Sequence, residues 1–200
     1  MTKGLSAGRQ GSIRLKSPEE IERLARGGAL LRRVLEDVAA LCVPGATGLA
    51  LNAEAERRLL SLGAEPSFKG YRGGEERPFP AALCVSVNSA IVHGPPTEQP
   101  FRDGDLVGLD LGALYEGLFT DTALTVLVGR GTPEAERLLA VTRRALQEGI
   151  RAVRTGATTG DIGAAVQRVV EDAGYSVVRD LAGHGVGYAV HEAPRVPGYG

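Results

Sequence analysis

The chain carries an internal repeat, and this feature constrains its fold more than any other. Residues 30–63 match residues 141–174 when the chain is shifted by 111 positions. The match includes the sequence Gly-Ala-Thr at 45–47 and 156–158, with apolar residues in the same phase on both sides of it. The alternative explanation is a chance resemblance between two amphipathic helices. A shared turn, with apolar residues in the same phase on both sides of it, favours a true repeat instead. The sequence therefore predicts two copies of a pair of helices.

Start and stop signals place these helices. The sequence SPEE at 17–20 has Ser at the N-cap, Pro at the first helical position and Glu where a capping box needs it. Pro44 ends this helix, and a second helix is predicted over 49–62, before a glycine. In the second half, helices are predicted to begin near Pro133 and near Asp161.

The residues between the two copies are typical of β-strands. Residues 80–127 alternate in polarity, are rich in β-branched side chains and are broken by turn residues. A further strand is predicted at 175–181, in the sequence YSVVRDL. Residues 1–12, rich in Gly, Ser and charge, are expected to form a flexible tail. The 200 residues permit one sizeable domain or two small ones.

Two aspartates in the predicted hairpin give the first indication of chemistry. A two-residue turn at 115–116 places Asp110 and Asp121 directly opposite each other, whereas a turn at 116–117 makes them diagonal on one face. Their neighbours are apolar, and opposed like charges destabilise a strand pair. We therefore expect something positive between them, and three options stay open: a cation such as Arg, a proton on one carboxylate, or a divalent metal.

The chain has only three histidines, His93, His184 and His191. His184 lies in the sequence GHGVG, where glycines leave room for close approach of a ligand. A single histidine in such a position is more often a structural turn or loop residue than a ligand. For this chain to have no functional histidine, that structural interpretation would have to be correct for all three residues. Carboxylate and imidazole ligands together suit Mn, Fe, Co or Zn better than Mg or Ca.

Charge and composition exclude several other functions. A net charge of −1 gives no electrostatic case for binding a specific nucleic acid or an anionic membrane surface. The N-terminus lacks the apolar core of a signal peptide, and no uncharged apolar run approaches the roughly 20 residues of a membrane span. Two cysteines are too few for a disulfide framework and fit a reducing compartment. We expect a cytoplasmic protein.

Four motifs resemble those of type I methionine aminopeptidases, which remove the initiator methionine from new proteins. They occur in the family's order and spacing over about residues 14–197, and they read PSFKGY, ALCVSVNSAIVHGPP, GDLVGLDLGALYEGLFTDTALTVLVG and DIGAAVQRVVEDAGYSVVRDLAGHGVGYAVHEAP. The resemblance implies an α+β pita-bread fold of two pseudo-symmetric halves. It also implies one peptidase domain over residues 13–200, which contains the internal repeat 30–63 and 141–174.

The resemblance also implies a role for each charged or imidazole candidate. Asp110, Asp121 and His184 match metal ligands of a site that holds two divalent ions, which are Co, Mn, Fe or Zn and activate a water. His93 and His191 match the two histidines that contact the substrate and help to stabilise the tetrahedral intermediate. The implied reaction is hydrolysis of the first peptide bond by metal-activated water.

The pocket and the partners follow from the same resemblance. Tyr71 and Cys84 match positions that line the pocket for the methionine side chain. Val190 stands where the family often has an aromatic residue, and Phe68 is the candidate to compensate for it. The implied partners are peptides and nascent chains with an N-terminal methionine and a small second residue. The resemblance also implies that the protein acts on nascent chains close to the ribosome.

The chain departs from the family pattern after His184. The family has two further glutamates downstream as metal ligands, whereas this chain has a single acidic residue there, Glu192, which belongs to another motif. The second repeat copy is also followed by far fewer residues than the first. These observations predict C-terminal truncation with strands missing from the second half, and hence weak metal binding and little activity.

Two other functions remain as alternatives. One is a catalytically inactive pita-bread domain that binds peptides or proteins. The other is a different hydrolase of the same fold, such as a peptidase that cleaves before proline or a creatinase-like enzyme. Those enzymes carry a long additional N-terminal domain that this chain lacks.

Overall fold

The structure is a computed structural model that describes residues 13–73 and 77–200. The tail predicted at residues 1–12 lies outside the described residues. The helices and strands follow in the order α1 (Pro18–Ala39), α2 (Gly48–Ser61), β1 (Glu65–Pro66), β2 (Leu83–Val87), β3 (Leu106–Tyr115), β4 (Leu118–Leu127), α3 (Pro133–Ala152), α4 (Thr159–Asp172), β5 (Ala182–Gly185) and β6 (Glu192–Pro197). No helix within this part of the chain is long and apolar enough to cross a membrane.

The chain divides into two compact units, and the division is not a single cut in the sequence. One unit, called here the sheet unit, consists of Lys16–Ala140 and Gly187–Val190. The other, called the C-terminal unit, contains Val141–Val186 and His191–Gly200. The short segment at 187–190 therefore belongs to the sheet unit although its neighbours in sequence do not.

The sheet unit is an antiparallel sheet with two helices packed on one face. β3 is the central strand and pairs with β1, β2 and β4. Alternate residues of the strands point to the helices, and they bury leucine and valine side chains that each contribute about 1.5–3 kcal/mol. The core of this face is formed by Leu83, Val85, Val107, Leu109 and Leu111 of the sheet with Leu31, Val34, Leu35 and Val38 of α1 and Leu51, Ala55 and Leu59 of α2.

The start of α1 confirms the prediction from the sequence SPEE. Ser17 is the N-cap, and the Glu20 amide donates to Ser17 Oγ at 3.2 Å. In return the Ser17 amide donates to Glu20 Oε2 at 2.8 Å. The reciprocal bonds satisfy amides that a helix N-terminus otherwise leaves unpaired, which is why the local sequence predicted this start correctly.

The C-terminal unit contains residues 141–152 of α3, the whole of α4 and a two-stranded antiparallel ribbon. β5 pairs with β6, with an irregularity in register after His184. The α4 helix packs against β6, and the Gly200 amide donates to Gln167 Oε1 of α4 at 3.2 Å. Thr158 is the N-cap of α4 and forms a capping box with Asp161.

The two helix pairs have corresponding bounds but different burial. α2 covers 48–61 and α4 covers 159–172, which are the same bounds after a shift of 111 residues. The repeat partners Leu35 of α1 and Leu146 of α3 differ sharply, because Leu35 is 1% exposed and Leu146 is 62% exposed. Leu35 packs in the core formed by the sheet and the helices of the sheet unit. The repeat therefore predicted secondary structure better than it predicted burial.

The prediction of a strand at 175–181 is wrong. These residues form no regular strand, and Val178 is exposed. The next strand begins only at Ala182, where the pairing with β6 starts opposite Pro197. β-branched residues favour a strand when a partner offers hydrogen bonds and packing, and the pairing with β6 does not extend back to 175–181.

Candidate functional site

The turn between β3 and β4 sets the arrangement of the two aspartates. The turn lies at 116–117, and both residues have positive φ, 47° and 78°. Positive φ at both central residues is the geometry of the tight turn that matches strand twist. The register places Asp110 opposite Ala123 and Asp121 opposite Gly112. The aspartates are thus diagonal neighbours on one face, which confirms the second of the two predicted registers.

This face of the sheet is the one that points away from α1 and α2. In an antiparallel sheet, directly paired residues share a face and alternate residues along a strand do too. Cys84 pairs with Asp110 and Gly112 pairs with Asp121, so all four share it. We call it the carboxylate face, and it is formed by Cys84, Ser86, Gly108, Asp110, Gly112, Phe119 and Asp121.

Asp110 is held in an unfavourable electrostatic environment. Its Oδ1 atom is buried and has no hydrogen-bond partner among the described residues. Burial, and after it the charge and hydrogen bond of Asp121, raise the pKa of Asp110 to about 7. No salt bridge to Asp110 is present in the described part of the chain, so no arginine of that part is its partner. Protonation and a divalent cation remain, and an unsatisfied buried oxygen fits either.

An apolar cluster adjoins the carboxylate face. Phe68, Cys84 and Val190 are buried at its centre. Burial first, and then the charges of Asp110 and Asp121, raise the pKa of the Cys84 thiol to about 12. The thiol is therefore neutral and acts as a small apolar group. Including the partly buried members, the apolar cluster is formed by Phe68, Tyr71, Phe79, Cys84, Phe119 and Val190.

Two members of the apolar cluster, Phe79 and Phe119, were not predicted from the sequence to be site residues. Phe119 lies two residues before Asp121 on β4, so strand alternation alone places it on the same face. Phe79 had no such signal, because it lies outside any strand. Hydrogen bonds hold it beside Tyr71: the Phe79 amide donates to the Tyr71 carbonyl at 2.7 Å, and the Gly70 amide donates to the Phe79 carbonyl at 2.8 Å.

Hydrogen bonds and a cation–π contact join the segment 187–190 to the rest of the sheet unit. The Phe119 amide donates to the Gly187 carbonyl at 2.8 Å. The Tyr188 hydroxyl donates to Glu20 Oε2 at 2.5 Å, and Lys16 Nζ lies 4.6 Å from the centre of the Tyr188 ring. These contacts hold Val190 in its buried position in the apolar cluster.

Replacing Tyr188 by phenylalanine is expected to loosen this segment. The variant loses a hydrogen bond to a carboxylate, which is worth about 1.5–3 kcal/mol. Amides of 187–190 should exchange faster in hydrogen–deuterium exchange, while those of β3 stay protected. Tyr199→Phe is the matched control, because within the described residues its hydroxyl makes only a long 3.4 Å bond, to the Arg179 carbonyl. Equal exchange in wild type and Tyr188→Phe would contradict the role of this contact.

The three histidines are distributed over both units. His93 lies in the sheet unit after β2, is exposed and has a φ of 57°. His184 lies on β5, and His191 immediately precedes β6. Their ring centres are 4.1 Å apart with an angle of 51° between the ring planes.

The environment of His184 favours one tautomer. Its Nδ1 lies 2.9 Å from the Gly185 carbonyl oxygen. When Nδ1 carries the proton it donates to that carbonyl, which leaves the lone pair on Nε2, the form in which an imidazole ligates a metal. Across the described residues, no group of three or more His, Cys, Asp or Glu side chains is arranged to hold a metal ion.

Comparison with known proteins identifies relatives over nearly the whole chain. The sequence model of metallopeptidase family M24 matches residues 22–200 of this chain. Methionine aminopeptidase A of Synechocystis is 40% identical over 190 residues, covering 94% of this chain and 73% of the relative. The methionine aminopeptidase of Aquifex aeolicus is 38% identical over 188 residues, covering 93% and 73%.

Solved structures agree with these relatives. The crystal structure of methionine aminopeptidase from Thermotoga maritima superposes with a TM-score of 0.88 at 39% identity, covering 94% of this chain and 74% of that one. A methionine aminopeptidase from Rickettsia prowazekii has a TM-score of 0.90 at 33% identity, with the same coverage. The prolidase of Pyrococcus furiosus is more distant, with a TM-score of 0.79 at 25% identity, covering 92% and 52%. The predicted pita-bread fold is thereby confirmed.

Proposed function

Because the chain belongs to metallopeptidase family M24, among its methionine aminopeptidases, we propose that it removes N-terminal methionine at the carboxylate face of its sheet unit. One observation carries this assignment of the site: the buried, unpartnered Oδ1 of Asp110 lies on a face shared with Asp121 and bordered by an apolar cluster. A cation satisfies the carboxylates, and the cluster receives an apolar side chain next to them.

Divalent metal use is a property of the family, and the donor set of this chain suits it. We propose Asp110, Asp121 and His184 as ligands and two ions as the full complement. Carboxylate oxygen with imidazole nitrogen is chemistry that Mn, Fe, Co or Zn accept. The chemistry that such ions supply is Lewis-acid activation of water and of the scissile carbonyl.

The apolar cluster is the proposed binding site for the methionine side chain. Phe68, Tyr71 and Cys84 present aromatic edges and a neutral thiol, which suit a flexible thioether. Phe68 lies buried against Val190, so it supplies aromatic surface beside the position where the family often has an aromatic residue. An unbranched side chain of the length of methionine fits such a slot better than a charged one, because burying a charge without a partner is costly.

His93 and His191 are the proposed contacts to the substrate backbone. An imidazole N–H that donates to the scissile carbonyl stabilises the negative charge that develops on its oxygen when water attacks. Removal of one such donor typically lowers kcat by about 10²–10³. We assign this donor role to the imidazole N–H of both residues.

The proposed substrates are peptides and nascent chains with an N-terminal methionine and a small second residue. We propose that the chain meets them in the cytoplasm, near the ribosome. The free amino terminus of the substrate would ligate the second of the two proposed ions, as a neutral amine. Recognition of a free terminus limits cleavage to the first residue.

The test is release of methionine from Met-Gly-Gly by the purified chain with added Mn or Co. Because three ligands are proposed here and weak metal binding is predicted, we expect slow metal-dependent release that EDTA stops and no release from Glu-Gly-Gly. For His93→Ala we expect a further decrease of about 10²–10³ in kcat. An Ala-Pro dipeptide tests the activity of the prolidase-like relatives. Cleavage of that dipeptide alone, or binding of Met-Gly-Gly without any release, would overturn the proposal.

A further inference from the structure

His93 has a backbone conformation that its own side chain does not favour. Its φ of 57° lies in the left-handed region, where a non-glycine residue is uncommon and carries a cost of about 1 kcal/mol or more. Such a conformation persists only where the surroundings impose it. The residues that impose it are therefore part of what places this histidine.

The next residue, Gly94, is bound to strand β2 through both of its backbone groups. Its amide donates to Ser86 Oγ at 3.1 Å, and its carbonyl accepts from the Val85 amide at 2.7 Å. Ser86 is only 5% exposed, so its hydroxyl is a buried polar group whose bond to Gly94 is protected from water.

The approach of this segment to β2 is close. A Cβ on Gly94 would lie 2.4 Å from the Val85 carbonyl oxygen and 3.0 Å from Ser86 Cα. Any side chain at this position would therefore push the segment away from the strand. Gly94 and Ser86 together make a clamp that fixes the peptide following His93.

The clamp lies on the carboxylate face. Ser86 pairs with Gly108 on β3, two residues from Asp110, and it follows Cys84 by two residues on β2. Its side chain therefore points to the same side as the two aspartates. The backbone at 93–94 is tied to the face that also carries the proposed metal ligands of the sheet unit.

We propose that Ser86 is a positioning residue that acts through His93, with its hydroxyl holding the Gly94 amide so that the imidazole is presented over the carboxylate face. The consequence for turnover rests on the proposed function, whereas the placement of His93 does not. By its sequence pattern Ser86 is an ordinary strand residue.

The placement is tested without any activity measurement. In Ser86→Ala we expect exchange of the Gly94 amide to rise about tenfold, and the ring NMR signals of His93 to shift while those of His184 and His191 do not. Gly94→Ala should shift the same signals through steric displacement, and it serves as the second variant. Thr120→Val is the matched control, because Thr120 is also a buried hydroxyl of the sheet but its Oγ1 has no hydrogen-bond partner in the described residues. Unchanged His93 signals in both Ser86→Ala and Gly94→Ala would overturn the placement.

The mechanism is tested with a double-mutant cycle on release of methionine from Met-Gly-Gly by the full chain with added Mn. Ser86→Ala should lower kcat about tenfold with KM nearly unchanged, and this loss should disappear when His93 is already alanine. Additive losses in the double variant would overturn the claim that Ser86 acts through His93. No release by the wild-type chain would overturn the proposed function instead, and the NMR result would still decide the placement of His93.

Discussion

Replacing Asp110 by asparagine should make the metal-free chain more stable and, at the same time, make it unresponsive to divalent metal. Both effects have one cause. In the metal-free chain the buried carboxylate of Asp110 faces Asp121, and its Oδ1 has no hydrogen-bond partner in the described residues. Asparagine has nearly the same shape, lacks the charge, and can donate its amide N–H to Asp121. We expect a gain of about 1–3 kcal/mol, the usual cost of an unsatisfied buried polar group.

The metal response should change in the opposite direction. A ligand that binds only the folded state stabilises it by about 2.7 kcal/mol at a hundredfold excess over its Kd. The wild-type chain should therefore melt at a higher temperature with excess Mn than with EDTA, and Asp110→Asn should melt at the same temperature in both. Isothermal titration with Mn gives the affinity directly, and we expect no detectable binding by the variant.

Asp180→Asn is the matched control for this experiment. Asp180 is an exposed aspartate that makes none of the contacts described for the carboxylate face. It should leave both the stability and the metal response unchanged. If Asp110→Asn destabilised the metal-free chain, or if it retained the full Mn-dependent shift in melting temperature, the assignment of the carboxylate face as a metal site would be wrong.

Truncation of two leucines that occupy the same position in the repeat should have very different consequences. Leu35→Ala removes a fully buried side chain from the core between α1 and the sheet, and we expect a loss of about 2–5 kcal/mol in the free energy of unfolding. Leu146→Ala removes the repeat partner, which is largely exposed, and we expect a change within about 0.5 kcal/mol.

The pair is well matched because both leucines lie inside long helices. The difference in helix propensity between leucine and alanine therefore affects both variants alike. Urea denaturation followed by circular dichroism measures both. A loss of more than 2 kcal/mol for Leu146→Ala would show that its helix face is covered in solution, against the burial described above.

The sequence predicted best what depends on local chemistry. The capping box of Ser17 and Glu20 follows from residues three positions apart, and no distant contact is needed to place it. The hairpin was predicted with two registers, because the choice between a turn at 115–116 and one at 116–117 depends on which residues accept positive φ. Gly117 settled that choice.

Features that depend on distant partners were harder to predict. The segment 175–181 has the composition of a strand, but the pairing of the ribbon begins only at Ala182. Phe79 joins the apolar cluster through hydrogen bonds to a loop, which no periodic pattern reveals. Ser86 gave no signal either, since its importance lies in a bond to an amide eight residues away.

The roles of individual residues depend mainly on the family resemblance. Spacing alone left three options open for the two aspartates, and no arginine of the described residues forms a salt bridge with Asp110. The roles of His93, His184 and His191 remain predictions that the experiments above are designed to test.

The membership of segment 187–190 in the sheet unit has a consequence for how this protein can be divided. A fragment that ends at residue 140 contains every strand of the four-stranded sheet but not Val190, so one wall of the apolar cluster is missing from it. Such a fragment would display Phe68 and Cys84 to solvent and would be prone to self-association. Chimeras assembled from related chains should therefore exchange residues 187–190 together with 16–140, as a two-part cassette that is discontinuous in sequence.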